Sequence, residues 1–131
     1  MIVGGYAVVH HAEPRYTKEL DIFVEASTRN AARLAGALRA FAGALPELTV
    51  ELLADPDKVV MMGRPPTRID FIKRIDGVKF ETAWKNRVRI QLDGVGANVI
   101  SRRDLIRNKR ASGRPQDLLY IAALTHKPRA Q

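Results

Sequence analysis

The chain has no cysteine, which excludes disulfides, thiolate nucleophiles and thiolate-held zinc and fits a reducing compartment. No apolar run approaches the ~18 residues that cross a bilayer as a helix, so no membrane partner is expected. Met1-Ile2-Val3-Gly4 carries neither a basic leader nor a long apolar stretch, and a cytoplasmic location is the expectation. Acidic residues are scarce: 14 Asp and Glu face 22 Lys and Arg, for a formal charge of +8 and a pI near 10.3. Polyanions such as nucleotides or RNA are therefore plausible partners, although net charge alone speaks to association and solubility. Repeats, heptads and low-complexity tracts are missing too, and His10, His11 and His126 are not spaced as a metal site. What remains is a 131-residue chain of ordinary hydrophobicity, the size of one domain that can bury a core without staples.

The most informative stretch is Thr17 to Glu25. Alternation with period two sends Leu20, Ile22 and Val24 to one face of a strand and presents Glu19 and Asp21 together on the other. Like charges side by side repel, and burial adds a desolvation cost, so the pair calls for a cation. Mg²⁺, which takes one or two carboxylates together with waters and phosphate oxygens, is the natural choice. A solvated strand face with incidental acids is the other reading of this fragment. Thr67 to Lys73 repeats the logic: Ile69 and Phe71 alternate with Asp70, which joins the first two acids if the strands are neighbours. Ile2-Val3 reads as a short strand ending at Gly4-Gly5, with a brief helix from Tyr6 to Ala12. Glycines there let the backbone approach a ligand, and the free N–H groups of a helix start can hold an anion.

The rest of the chain reads as scaffold. A helix capped by Ser27 or Thr28 runs to Phe41, with Gly43 as its stop and Leu34, Leu38 and Phe41 on its packing side. Residues 45–57 are ambiguous, with Thr49 to Leu53 either strand or helical turn. Val59 to Met62 is a strand, and Phe80 to Asn86 a short helix with Trp84 expected in the core. Arg87 to Leu92 is expected to pair through an Asp93-Gly94 turn with Ala97 to Ile100. Ser101 and Asp104 form a capping box for a helix from Arg102 to Ala111, on which Lys109 sits at the edge of the buried face and can reach inward. Gly113 ends that helix, Pro115 starts another, and Leu118, Leu119, Ala122 and Ala123 are its expected packing face.

As an ordered set, Val3-Gly4-Gly5, Glu19-Leu20-Asp21 and Arg68-Ile69-Asp70 resemble the nucleotidyltransferase superfamily with the DNA polymerase β type of core. The wording of Gly4 to Ala7, Arg15 to Lys18, Gly63 to Asp70 and Asn108 to Asp117 is similar to its small bacterial members, including the lincosamide-resistance and abortive-infection groups. The resemblance covers nearly the whole chain. It implies one α/β (α+β) domain over 1–131, with a mixed sheet and helices mainly on one face (core about 1–100) and a C-terminal helical pair (about 101–127). It also implies metal-dependent transfer of a nucleoside monophosphate from an NTP to a hydroxyl of RNA, protein or a small molecule. Glu19, Asp21 and Asp70 would be the catalytic and Mg²⁺- or Mn²⁺-binding acids, with Asp70 helping to deprotonate the acceptor. Gly4, Gly5, Lys18, Lys109 and Arg15 would bind the nucleotide. Two departures stand out: Glu19 replaces the usual Asp, and the chain begins almost at the glycine motif, so that a partner subunit or second copy would complete the core. They leave an alternative implication, a catalytically degenerate binding module such as a component of a toxin–antitoxin pair.

Overall fold

The acidic strand is β2 (Glu19–Phe23), and it lies in the interior of a six-stranded mixed sheet. A computed structural model describes residues 1–12, 19–64 and 67–125, with Glu19 described in its backbone only. On one side β2 pairs antiparallel with β1 (Ile2–Val3), and on the other it pairs parallel with β4 (Arg68–Ile72). A parallel pair requires a crossover. Here the intervening chain forms α2 (Thr28–Ala42), α3 (Val50–Ala54) and β3 (Val60–Met62), the last pairing antiparallel with β4 at the sheet edge. Beyond β1 the sheet continues through β6 (Val95–Val99), parallel to β1, to β5 (Val88–Leu92) at the opposite edge. With α1 (Gly4–His11), α4 (Phe80–Lys85), α5 (Arg102–Ser112) and α6 (Pro115–Thr125), this is the mixed α+β architecture expected.

The β2–β4 register pairs Leu20 with Ile69, Asp21 with Asp70 and Ile22 with Phe71. Alternation then puts both aspartates on one face and the apolar residues on the other. That apolar face is covered as expected by α2, together with α3: Ala31, Leu38, Leu53, Val60 and Phe71 form one core cluster, against which Ile22, Ile69 and Leu34 pack. A second cluster joins β1 and β6 to the helices through Val3, Ala7, Val8, Val99, Ile100, Leu105 and Leu124.

The end signals operate as their chemistry requires. Ser27 Oγ accepts from Asn30 N at 3.1 Å, and Ser101 Oγ accepts from Asp104 N at 3.1 Å. Thr49 Oγ1 accepts from Leu52 N at 3.2 Å, and this cap settles the ambiguous stretch as the helix α3. Asp93 and Gly94 adopt φ of 50° and 81°, the left-handed pair that closes a two-residue hairpin between β5 and β6. Helix α1 begins two residues earlier than expected, at Gly4 itself.

Three packing expectations are corrected. On α6 Leu118 and Leu119 are exposed at 60% and 64%, while Asp117 and Leu124 are buried. The inward stripe runs through 117, 120, 121 and 124, and its first position is a carboxylate, so a search for apolar residues selects the wrong side. Phe41 is exposed at 74%, because the buried stripe of α2 ends at Leu38. Trp84 is not a core residue: it stacks on Phe80 at the surface, with the Arg87 guanidinium 3.8 Å from its ring centre.

Candidate functional site

Neighbouring strands lie ~4.8 Å apart, so the in-register pair Asp21 and Asp70 falls well inside the ~10 Å limit beyond which ions could not bridge two carboxylates. This is not a solvated strand face: Asp70 is buried and Asp21 half-buried. Asp21 opens on a cleft of about 880 Å³, bounded by Gly4 at the start of α1, Phe23 from β2, Lys73 and Lys79 from the chain after β4, Lys109 from α5 and Arg114 from the link between α5 and α6.

Gly4 meets two requirements at once. Its φ is +65°, in the left-handed region, and a Cβ placed on it would collide with Asp21 Oδ2. The Asp21 carboxylate therefore lies against the first residue of α1, where the helix's positive end favours an anion. Gly4→Ala is expected to cost about 1–3 kcal/mol through the strained backbone and the displaced carboxylate. Gly36→Ala is the contrast: a Cβ at this exposed α2 position meets nothing within 4 Å, and the change should stabilise by up to about 1 kcal/mol. Urea midpoints moving in opposite directions for the same chemical change would check both.

Asp70 is in a different situation. Arg68, two residues earlier on the same face, holds it bidentately, with Nε 2.9 Å from Oδ1 and Nη2 3.1 Å from Oδ2. Such a fork supplies the positive charge that a buried carboxylate requires. Asp70 does not line the cleft that Asp21 opens on. In the register Glu19 is paired with Arg68, and its side chain lies outside the described residues, as do Arg15 and Lys18 altogether. Gly5 is the second residue of α1, half-buried and outside the cleft lining.

Lys109 does reach inward. It is buried at the cleft wall, with Nζ 3.6 Å from Asp117 Oδ1 and 5.2 Å from the centre of the Tyr120 ring. Asp117, which closes the Asn108 to Asp117 stretch but is assigned no role there, is the anion at the centre of this wall. It accepts from Arg114 Nε at 2.9 Å and from the Arg114 backbone N–H at 3.2 Å. Burial pushes its pKa up, but the hydrogen bonds from Arg114 and the charge of Lys109 outweigh that and hold it below the usual carboxylate range. The available signal was an acid in the first turn of a helix, two residues after Pro115. Lys73 was missed as well: buried beside the cleft, it donates to Leu52 O at 3.3 Å, and burial lowers its pKa, partly offset by Asp55.

Among the described residues no three of His, Cys, Asp and Glu gather as a metal site. The two in-register carboxylates are nonetheless hard oxygen donors suited in type to Mg²⁺ or Mn²⁺, with Asp21 facing the cleft and Asp70 neutralised by Arg68. Comparison of the chain with protein-family models and with curated proteins finds no match in either.

Proposed function

We propose that the cleft binds a nucleoside triphosphate and transfers its nucleoside monophosphate to a hydroxyl acceptor, releasing pyrophosphate. The observation that carries this reading is the in-register Asp21–Asp70 pair on parallel strands, with Gly4 pressed against Asp21 at the cleft. A cleft of about 880 Å³ is of the size that encloses a small ligand, ~300–1,000 Å³. Asp21 and Asp70, with Glu19, would hold a divalent ion, which when bound supplies charge stabilisation to the attacking and leaving oxygens. Asp70 takes part once the Arg68 guanidinium turns away from it, and then helps to remove the acceptor proton. The acceptor oxygen bonds to the α-phosphorus as the bond to the bridging oxygen breaks. Backbone amides at Gly4 and Gly5 would face the triphosphate, with Lys109, Lys18 and Arg15 neutralising its charge. RNA, a protein and a small molecule are the acceptor classes the reading allows.

A second reading rests on one specific contact. The Arg68 fork on Asp70 can stand permanently where a cation would, leaving a binding module without chemistry, such as a component of a toxin–antitoxin pair. One experiment separates the two. The protein is incubated with each radiolabelled NTP and Mg²⁺ or Mn²⁺, with total RNA and cell lysate as sources of acceptor, and its melting temperature is followed in parallel. Transfer of label to an acceptor is expected, together with a rise in Tm for NTP only when the divalent ion is present, since a triphosphate and carboxylates repel unless a cation bridges them. No label and no Tm shift with any of the four NTPs would overturn the reading.

A further inference from the structure

The outer side of α5 carries Arg102, Arg103, Arg107 and Arg110, which with Ile106 and Thr125 line a groove of about 540 Å³. This side is opposite the one that packs inward, where Asp104, Leu105, Asn108 and Lys109 are buried. Arg102 is anchored by donating to the His11 carbonyl. Arg103, Arg107 and Arg110 are exposed, and among the described residues none of them forms an ion pair. Helix stability does not account for the arrangement. Arg110, in the last turn, suits the helix dipole, but Arg103 in the first turn opposes it, and Arg103, Arg107 and Arg110 stand four and three residues apart, where like charges destabilise a helix by about 0.2–0.5 kcal/mol per pair.

We infer that this groove binds the phosphate backbone of single-stranded RNA. Guanidinium forks match phosphate oxygens, and three of them spread over two helical turns, about 10 Å along the axis, suit consecutive phosphates of one flexible strand. The lining carries four arginines and no acid, so its charge complements a polyanion. No aromatic side chain in the lining stacks on bases, and guanidinium planes stack on any base, so the binding is independent of sequence. RNA binding here is separate from nucleotide transfer, because the groove is on the other side of α5 from the cleft residue Lys109.

The test is fluorescence anisotropy with a labelled RNA of about 20 nucleotides in EDTA without NTP, titrated between about 50 and 200 mM salt. The wild type should bind, with log K falling linearly in log salt. The triple variant Arg103→Gln/Arg107→Gln/Arg110→Gln should weaken binding at least tenfold and reduce that slope by about 2, at ~0.7 for each phosphate no longer neutralised. Its Tm should not fall, since repulsion is relieved, and Arg107→Gln alone should reduce the slope by about 0.7. An equal removal of charge on α2, Arg29→Gln/Arg33→Gln/Arg39→Gln, should leave the slope unchanged. DNA of the same length and strandedness should bind within a few-fold, because no group in the lining is committed to the ribose hydroxyl. Absence of binding, equal weakening by the α2 variant, or tighter binding of duplex or of polyglutamate would overturn the assignment.

Discussion

Asp21→Asn is expected to reduce nucleotide transfer at least about 10²-fold while the protein remains folded. The substitution removes the charge of the one paired acid that opens on the cleft and hardly alters its shape. Two small effects on stability oppose each other. An anion beside the start of α1 is lost, worth about 0.3–1 kcal/mol, and repulsion from the neighbouring Asp70 is relieved. Because Arg68 already neutralises Asp70, the relief is modest, and Tm should change by only a few degrees. Glu19→Asp is the sharper companion. If Glu19 is a ligand strained by its extra methylene, the shorter residue should raise turnover, and no change would mean that the side chain does not touch the ion. Full activity in Asp21→Asn, or its unfolding, would identify Asp21 as a structural acid.

Asp117→Ala should have the largest effect on stability, about 3–5 kcal/mol, because it leaves Lys109 buried without its anion. That is a large part of the ~5–15 kcal/mol that holds a domain of this size. Arg114, whose side chain is 70% exposed, loses a partner but can return to water, so Arg114→Ala should cost much less. The double variant Lys109→Met/Asp117→Leu should recover much of the loss, since an apolar pair leaves no unpaired charge.

The pH dependence follows from the direction of the Asp117 shift. Its folded pKa lies below the unfolded value near 3.8, so the folded state binds fewer protons. The contribution is present above the unfolded pKa and is lost as pH falls through the folded one. Wild-type stability should therefore decline on acidification below about pH 4, and Asp117→Asn should be less stable at neutral pH but flatter across that acid range. Urea titrations at pH 7 and through the acid range measure both. An Asp117→Asn curve parallel to the wild type would remove Asp117 from the account of acid stability.

Much of the scaffold was legible because its signals are local. Period-two alternation marked β2 and β4, side-chain caps marked α2 and α5, and Asp93-Gly94 marked the hairpin. Each depends on residues within a turn or two of one another. The errors also have a local cause: Leu118, Leu119, Phe41 and Trp84 were assigned by hydrophobicity, whereas burial depends on what an element meets across the fold.

Alternation by itself determined that Asp21 and Asp70 would each face away from an apolar side of their strands. It could not determine that β2 and β4 are parallel neighbours in matched register, because that pairing joins residues 49 positions apart, Asp21 and Asp70. Nor could it show that one acid opens on a cleft while Arg68 holds the other, or that the anion facing Lys109 is Asp117. The composition marked a surplus of cations, and only the packing of α5 separated the one enclosed at the cleft wall from the three left outward. The physical reason is that a side chain's face is a property of its own element, but its partner and exposure are properties of the neighbours that the tertiary fold brings against it.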